Sequence, residues 1–549
     1  MKPFRKHRIP ALLCAAVLAA ALPGTALATE YDTPITGEMS QPGYWSGKAS
    51  APRTPLATEE DLAALNLDSR AAKGTGLRDL SAWTETEYDG IEWAEKLEET
   101  AMDRSARLFQ SCGVRFDSRG QEYSSWADAA AAMFVPMIEN TVDDDPEGEE
   151  LYAICTSTSA LRNFPSEEGL YTESGPEGRD YQIRSEVLLG EPLIVKGESR
   201  DGKFAYAYTS ADSGWIPWED VAMCYNRDEW LRAWQFEDED SLVVYGDGVR
   251  TQGTEEESDG ASLPMGSRLQ LVDQEEYGNR FSFDSARGDW VVWLPLRGQS
   301  GWYEAEMAAV SRNDDVSQGP LPLTSANLAA VALKKPKEVY RWSQGEGLQD
   351  CTSYARRVYR CFGLDLARSI SGQSKQPIRQ YDLEGLSDAE KTQRLKKLPL
   401  GSLLCVNGKE LLYLGHEGDR LYAVSTADVR RSDTGEGHST VVDTLDTLVP
   451  GGKTLLNCLS KAIVPYYNAQ AADLSQAKVT GVKDVSYKGK AVTQKLKVRV
   501  DGRTLREGTH YTLSYKHNDS VGEARVTIRG RGNWRGKLRR TFTILPADA

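Results

Sequence analysis

The sequence predicts a multi-domain chain: a helical N-terminal domain, two small β-barrels, an α+β domain and a β-rich C-terminal module. Three observations carry that expectation. At 549 residues the chain is too long for one core. Apolar residues change from helical spacing to short alternating runs near residue 150. Charge is also uneven. The chain has a net charge of −16, yet Gln476 to Ala549 holds 17 Lys and Arg against 6 Asp and Glu.

Residues 1–28 read as a secretory signal. Lys2, Arg5, Lys6 and Arg8 precede the apolar run Ala11 to Leu22, and Ala26-Leu27-Ala28 is a cleavage pattern. The run is short for a membrane-spanning helix, and Cys14 lies within it rather than at a lipidation position. Removing the signal leaves a secreted chain of net charge −20 with seven cysteines, an odd number that leaves at least one thiol free. Residues 29–145 are expected to be helical. Thr58-Glu59-Glu60-Asp61 is a helix start, and Trp93, Leu97, Ala101 and Leu108 recur at helical spacing before Gly113. The acidic run Asp143 to Glu147 ends this region as a solvated linker.

Residues 146–226 and 227–312 each read as a small barrel. Leu151 to Ile154, Pro192 to Val195 and Phe204 to Tyr208 alternate between Gly-rich turns. The run Leu161-Arg162-Asn163-Phe164-Pro165, with Gly214-Trp215, resembles a bacterial SH3-like domain. Leu263 to Leu269, Trp290 to Leu294 and Gly301-Trp302 resemble a second one. Cys155 and Cys224, near the ends of the first barrel, are candidates for a disulfide.

Residues 313–468 hold the chemistry. Behind Asp350-Cys351-Thr352, residues Ala355, Val358, Tyr359 and Phe362 recur at three and four, placing Cys351 in the first turn of an amphipathic helix. Free N–H groups and the helix dipole there favour a thiolate and can bind an oxyanion. Tyr340-Arg341-Trp342, Asp350-Cys351-Thr352, Gly401-Ser402-Leu403-Leu404 and Tyr413-Leu414-Gly415, in this order, resemble the NlpC family of papain-like cell-wall cysteine peptidases. With the helical domain and paired barrels, the resemblance is to γ-D-glutamyl dipeptidyl-peptidases that trim peptidoglycan stem peptides. It implies an α+β domain with Cys351 as nucleophile. Asp350 and Thr352 would border the substrate, and the first barrel would help receive the amine of an N-terminal L-Ala.

The match breaks at the base. The family's His position falls on Lys409 and the third, orienting position on Ser425. A thiol nucleophile needs a partner to take its proton and return it to the leaving amine. Among other histidines, His416 lies at an odd offset from Lys409 and so on the other strand face, whereas His438 remains a possible substitute base. Two readings stay open. One is a pseudoenzyme or weak enzyme that binds stem peptides, with Cys351 a leftover core thiol. The other is a working peptidase that cleaves γ-D-glutamyl–diamino-acid bonds. No metal, nucleotide or redox cofactor is implied.

Residues 469–549 return to strands, including Leu496 to Val500, Ala524 to Ile528 and Thr541 to Ile544, and resemble small immunoglobulin-like surface modules. Clustered Arg529, Arg531, Arg535, Lys537, Arg539 and Arg540 leave two roles open: a spacer, or docking to anionic wall polymers. Nucleic acid is not expected as a partner of an exported protein.

Overall fold

The computed structural model describes residues 36–49, 51–83, 90–141, 151–174, 180–246, 248–253, 259–273, 289–334, 351–406, 408–425, 441–449, 452–468, 472–474, 477–500, 503–507, 511–530 and 534–546. The signal segment, Asp350 and His438 lie outside them. The chain is multi-domain and α+β, with sheets predominating over helices. No described helix is long and apolar enough to cross a membrane.

The described N-terminal helices divide between two cores. Helix α1 (Pro42–Ser46) buries Trp45, and α2 (Glu59–Ala71) buries Leu62 and Leu65. These side chains join the core of the domain that carries Cys351. The expected start of α2 is a capping box between Thr58 and Asp61. Trp45 packs against Tyr422, ring centres 5.1 Å apart, and a Cβ on Gly415 would stand only 3.2 Å from its ring. Helix α3 (Gly90–Gln110) ends before Gly113, whose φ of +78° suits glycine. It packs with α4 (Trp126–Ala129) and α5 (Val135–Glu139), and Phe109, Phe134 and Phe164 share one apolar cluster.

That cluster abuts a seven-stranded antiparallel sheet formed by β1 (Leu151–Cys155), β2 (Ser159–Arg162), β3 (Ile183–Val187), β4 (Pro192–Glu198), β5 (Phe204–Tyr208), β6 (Ser213–Pro217) and β7 (Val221–Met223). Their order is β3-β2-β6-β5-β4-β1-β7. Cys155 and Cys224 are separate thiols, and the Cys155 thiol donates to the Ser157 carbonyl at 2.9 Å. Helix α6 (Arg227–Trp234) closes this unit, where the Trp230 indole donates to the Ala153 carbonyl at 3.0 Å. Short sheets over residues 241–318 follow, around their own apolar cluster.

The Cys351 domain comprises α7 (Ser325–Leu333), α8 (Cys351–Arg360), α9 (Ile370–Gln373) and α10 (Asp388–Leu395). Its sheet is built from β8 (Ile378–Asp382), β9 (Leu403–Val406), β10 (Lys409–Glu417), β11 (Arg420–Ser425), β12 (Val441–Thr444) and β13 (Leu459–Asn468), in the order β8-β13-β9-β10-β11-β12. In the C-terminal module, β14 (Tyr511–Lys516), β15 (Gly522–Gly530) and β16 (Lys537–Leu545) form an antiparallel sheet with Val485–Ser486 on its edge.

Candidate active site

Helix α8 starts at Cys351, which is half-buried. The rest of the helix is buried on nearly every side and is held from four directions. The Tyr354 hydroxyl donates to the Ala332 carbonyl of α7 at 2.5 Å. Tyr359 donates to the Gly401 carbonyl before β9. Arg357 meets Glu186 of β3 in a two-armed pair, with Nε to Oε1 at 2.8 Å, and Arg360 meets Glu191. Arg357 and Arg360 also sit in the last turn, where the helix dipole favours cations. From the following unit, Gly266 backs onto the helix. It holds φ +89°, and a Cβ there would stand 3.3 Å from the Arg357 Cα.

The residues beneath Cys351 follow from the sheet register. Tyr359 lies at the Gly401 end of β9, while Cys405 at the far end feels a charge on Cys351. The helix itself packs chiefly on β10, the strand that pairs with β9, and its Cys351 end lies towards the Cys405–Glu410 end of that pair. Cys405 stands opposite Glu410 on one side and Lys461 on the other. Gln373 of α9 donates to Glu410 Oε2 at 3.3 Å, and Lys461 donates to Ser374 Oγ at 3.1 Å, so this row faces the helices. Glu410 is 2% exposed. Burial, then the Glu410 carboxylate, push the Cys405 thiol up to about 12, with Lys461 opposing and Cys351 adding.

Strand alternation decides what happens to the expected base position. Lys409 pairs with Val406, is solvent-exposed and falls on the face opposite Glu410. On β11, Val424 shares the face of Glu410 through Leu412, and Ser425 pairs with Val441 of β12. His416 pairs with Leu421 at the distant end of β10. Thr352, next to Cys351, is buried and accepts a hydrogen bond from Arg368.

Arg368 leads to a cationic junction with the seven-stranded sheet, which the sequence did not announce. Its charge acts on Arg184 and Asp212. Arg184 Nη2 lies 2.6 Å from Asp212 Oδ1. Arg78 donates to the Thr209 and Asp212 carbonyls at 3.3 and 3.0 Å, and Arg104 donates to the Asn163 carbonyl at 3.2 Å. Burial raises the Asp212 carboxyl, but the charge and hydrogen bond of Arg184 outweigh it and hold the group below its ordinary range. Arg78, Arg104 and Arg184 thus gather round one carboxylate, leaving a positive excess among the described residues.

The chain aligns with a solved NlpC/P60 endopeptidase from Photobacterium damselae subsp. piscicida over 77% of this chain and 97% of that one. Identity is 13% and the TM-score 0.55. It has an NlpC/P60-like fold. An NlpC/P60 family protein from Bacillus cereus aligns at 16% identity and TM-score 0.35, over 52% of this chain and 83% of that one. No family model matches the sequence, and no curated protein does. In this chain a buried carboxylate, Glu410, stands where the sheet meets the helices of the Cys351 domain.

Proposed function

We propose that this protein is exported to the cell wall, where it binds peptidoglycan stem peptides through its NlpC/P60-fold domain with little or no turnover. The observation that carries the reading is Glu410, buried beside the Cys405 thiol and facing the helices. Thiol chemistry needs a base that takes a proton near pKa 8.5 and returns it to an amine. A free carboxylate is a weaker base than a free imidazole. Its charge also disfavours a neighbouring thiolate, the reverse of an imidazolium. Lys409, at the family's base position, stays in solvent on the other face.

Stem peptides carry carboxylates, and the Arg78, Arg104 and Arg184 junction beside Thr352 supports their recognition. The same excess would repel the ammonium that the resemblance assigned to this neighbourhood.

The test uses mature protein and its Cys351→Ala variant with defined muropeptides, followed by mass spectrometry and calorimetry. Equal binding and no L-Ala-γ-D-Glu release from either protein is expected. Release that depends on Cys351 would overturn the proposal and direct attention to His438.

A further inference from the structure

We infer that the outward face of the C-terminal sheet is a docking surface for a linear phosphodiester-linked polyol polymer of the teichoic-acid kind. The register lays this face out in rows. Thr512, Arg529 and Lys537 stand side by side, then Ser514, Thr527 and Arg539, then Lys516, Arg525 and Thr541. The opposite face carries Leu513, Tyr515, Ala524, Val526, Phe542 and Ile544 into an apolar cluster. Alternation therefore puts five cations on one side of three strands, with Glu523 the one acid, at the end of the face beside Thr543.

Among the described residues none of these five cations makes an ion pair. Arg529 directly faces Lys537, an arrangement that destabilises a bare sheet. Such a pairing is relieved by an anion bridging both side chains.

The neighbours of the cations define the occupant. Thr512, Ser514, Thr527 and Thr541 set hydroxyls between the charges, suited to phosphate oxygens and polyol hydroxyls. The face has no aromatic side chain on which bases could stack, and its one apolar side chain, Leu545, sits at the end of β16 beyond Thr543, away from the cations. Cations recur about 5 Å across strands and about 7 Å along them, so a flexible chain of phosphates can meet several at once. The rest of the chain is strongly acidic, since residues 476–549 contribute +11 to a total of −16. A polyanion meets net repulsion from the rest of the chain and is held here.

Binding of fluorescent poly(glycerol phosphate) to the full mature protein tests this, alongside Arg529→Gln/Lys537→Gln/Arg539→Gln and the single Arg539→Gln. The triple variant should lose at least tenfold in affinity and have a shallower salt dependence. The single variant should show a smaller loss of the same kind, and muropeptide binding should be unchanged. Thermal unfolding of the triple variant should come no earlier than for the parent, because like charges have been removed. Unchanged polymer affinity in both variants would overturn the inference. So would binding to phosphatidylglycerol vesicles that matches polymer binding at equal phosphate, which would assign the face to membranes.

Discussion

Two sets of arginines do opposite work in this molecule. Arg357 of α8 is buried against Glu186, the side chains only 3% and 5% exposed, and Arg360 is half-buried against Glu191. Arg529 and Arg539 of the C-terminal sheet are exposed, and no carboxylate meets them among the described residues. A desolvated pair cannot be spared for a ligand; it fixes how the seven-stranded sheet sits on the helix of Cys351. An exposed cation adds little to folding and remains available for binding. Residue type alone does not distinguish the two; the partner across the fold does.

Breaking the buried set should have the largest effect. Arg357→Ala leaves Glu186 buried without its partner and should cost about 3–5 kcal/mol in denaturant unfolding. Arg529→Gln should stay within about 0.5 kcal/mol of the parent. Equal effects would erase the contrast. Gly266→Ala should cost about 1–3 kcal/mol, because alanine must adopt φ +89° against the Arg357 backbone. A neutral result would mean that this contact yields easily.

A subtler effect concerns pH. With its thiol raised to about 12, Cys405 keeps its proton in the fold after the unfolded chain has released it near pH 8.5. Its contribution is full below that pH and is lost as pH rises towards 12. Unfolding free energy should therefore fall with a slope of up to about 1.4 kcal/mol per pH unit from this group between pH 9 and 11. Urea titrations of Cys405→Ala across that range should show the slope reduced by this amount. An unchanged slope would place Cys405 in a wetter site.

Local pattern made much of this legible. The 3.6-residue recurrence of Ala355, Val358, Tyr359 and Phe362 located α8, and alternation located β1, β4 and β5. The Thr58 start of α2 was visible for the same reason: capping is a matter of neighbours in sequence. The buried pair Arg357–Glu186 joins residues 171 apart, which no periodicity reports. Nor does composition say that α1 and α2 pack with the Cys351 domain while α3 to α5 share a cluster with Phe164 and Leu170. Glu410 is a different case, because a signal was present. Asn407-Gly408 reads in sequence as a two-residue hairpin turn, a reading that would pair Val406 with Lys409 and Cys405 with Glu410, the register the strands adopt. Motif alignment through Tyr413-Leu414-Gly415 drew attention to Lys409, one residue from the side chain that faces inward.

The rate at which a thiol-directed probe labels Cys351 in the native protein at pH 7, with and without Glu410→Gln, tests the role of that carboxylate most directly. Slow labelling, several-fold faster once the charge is removed, is the expected result. Rapid labelling of the parent that is indifferent to Glu410→Gln would show an activated thiolate and contradict a silenced site.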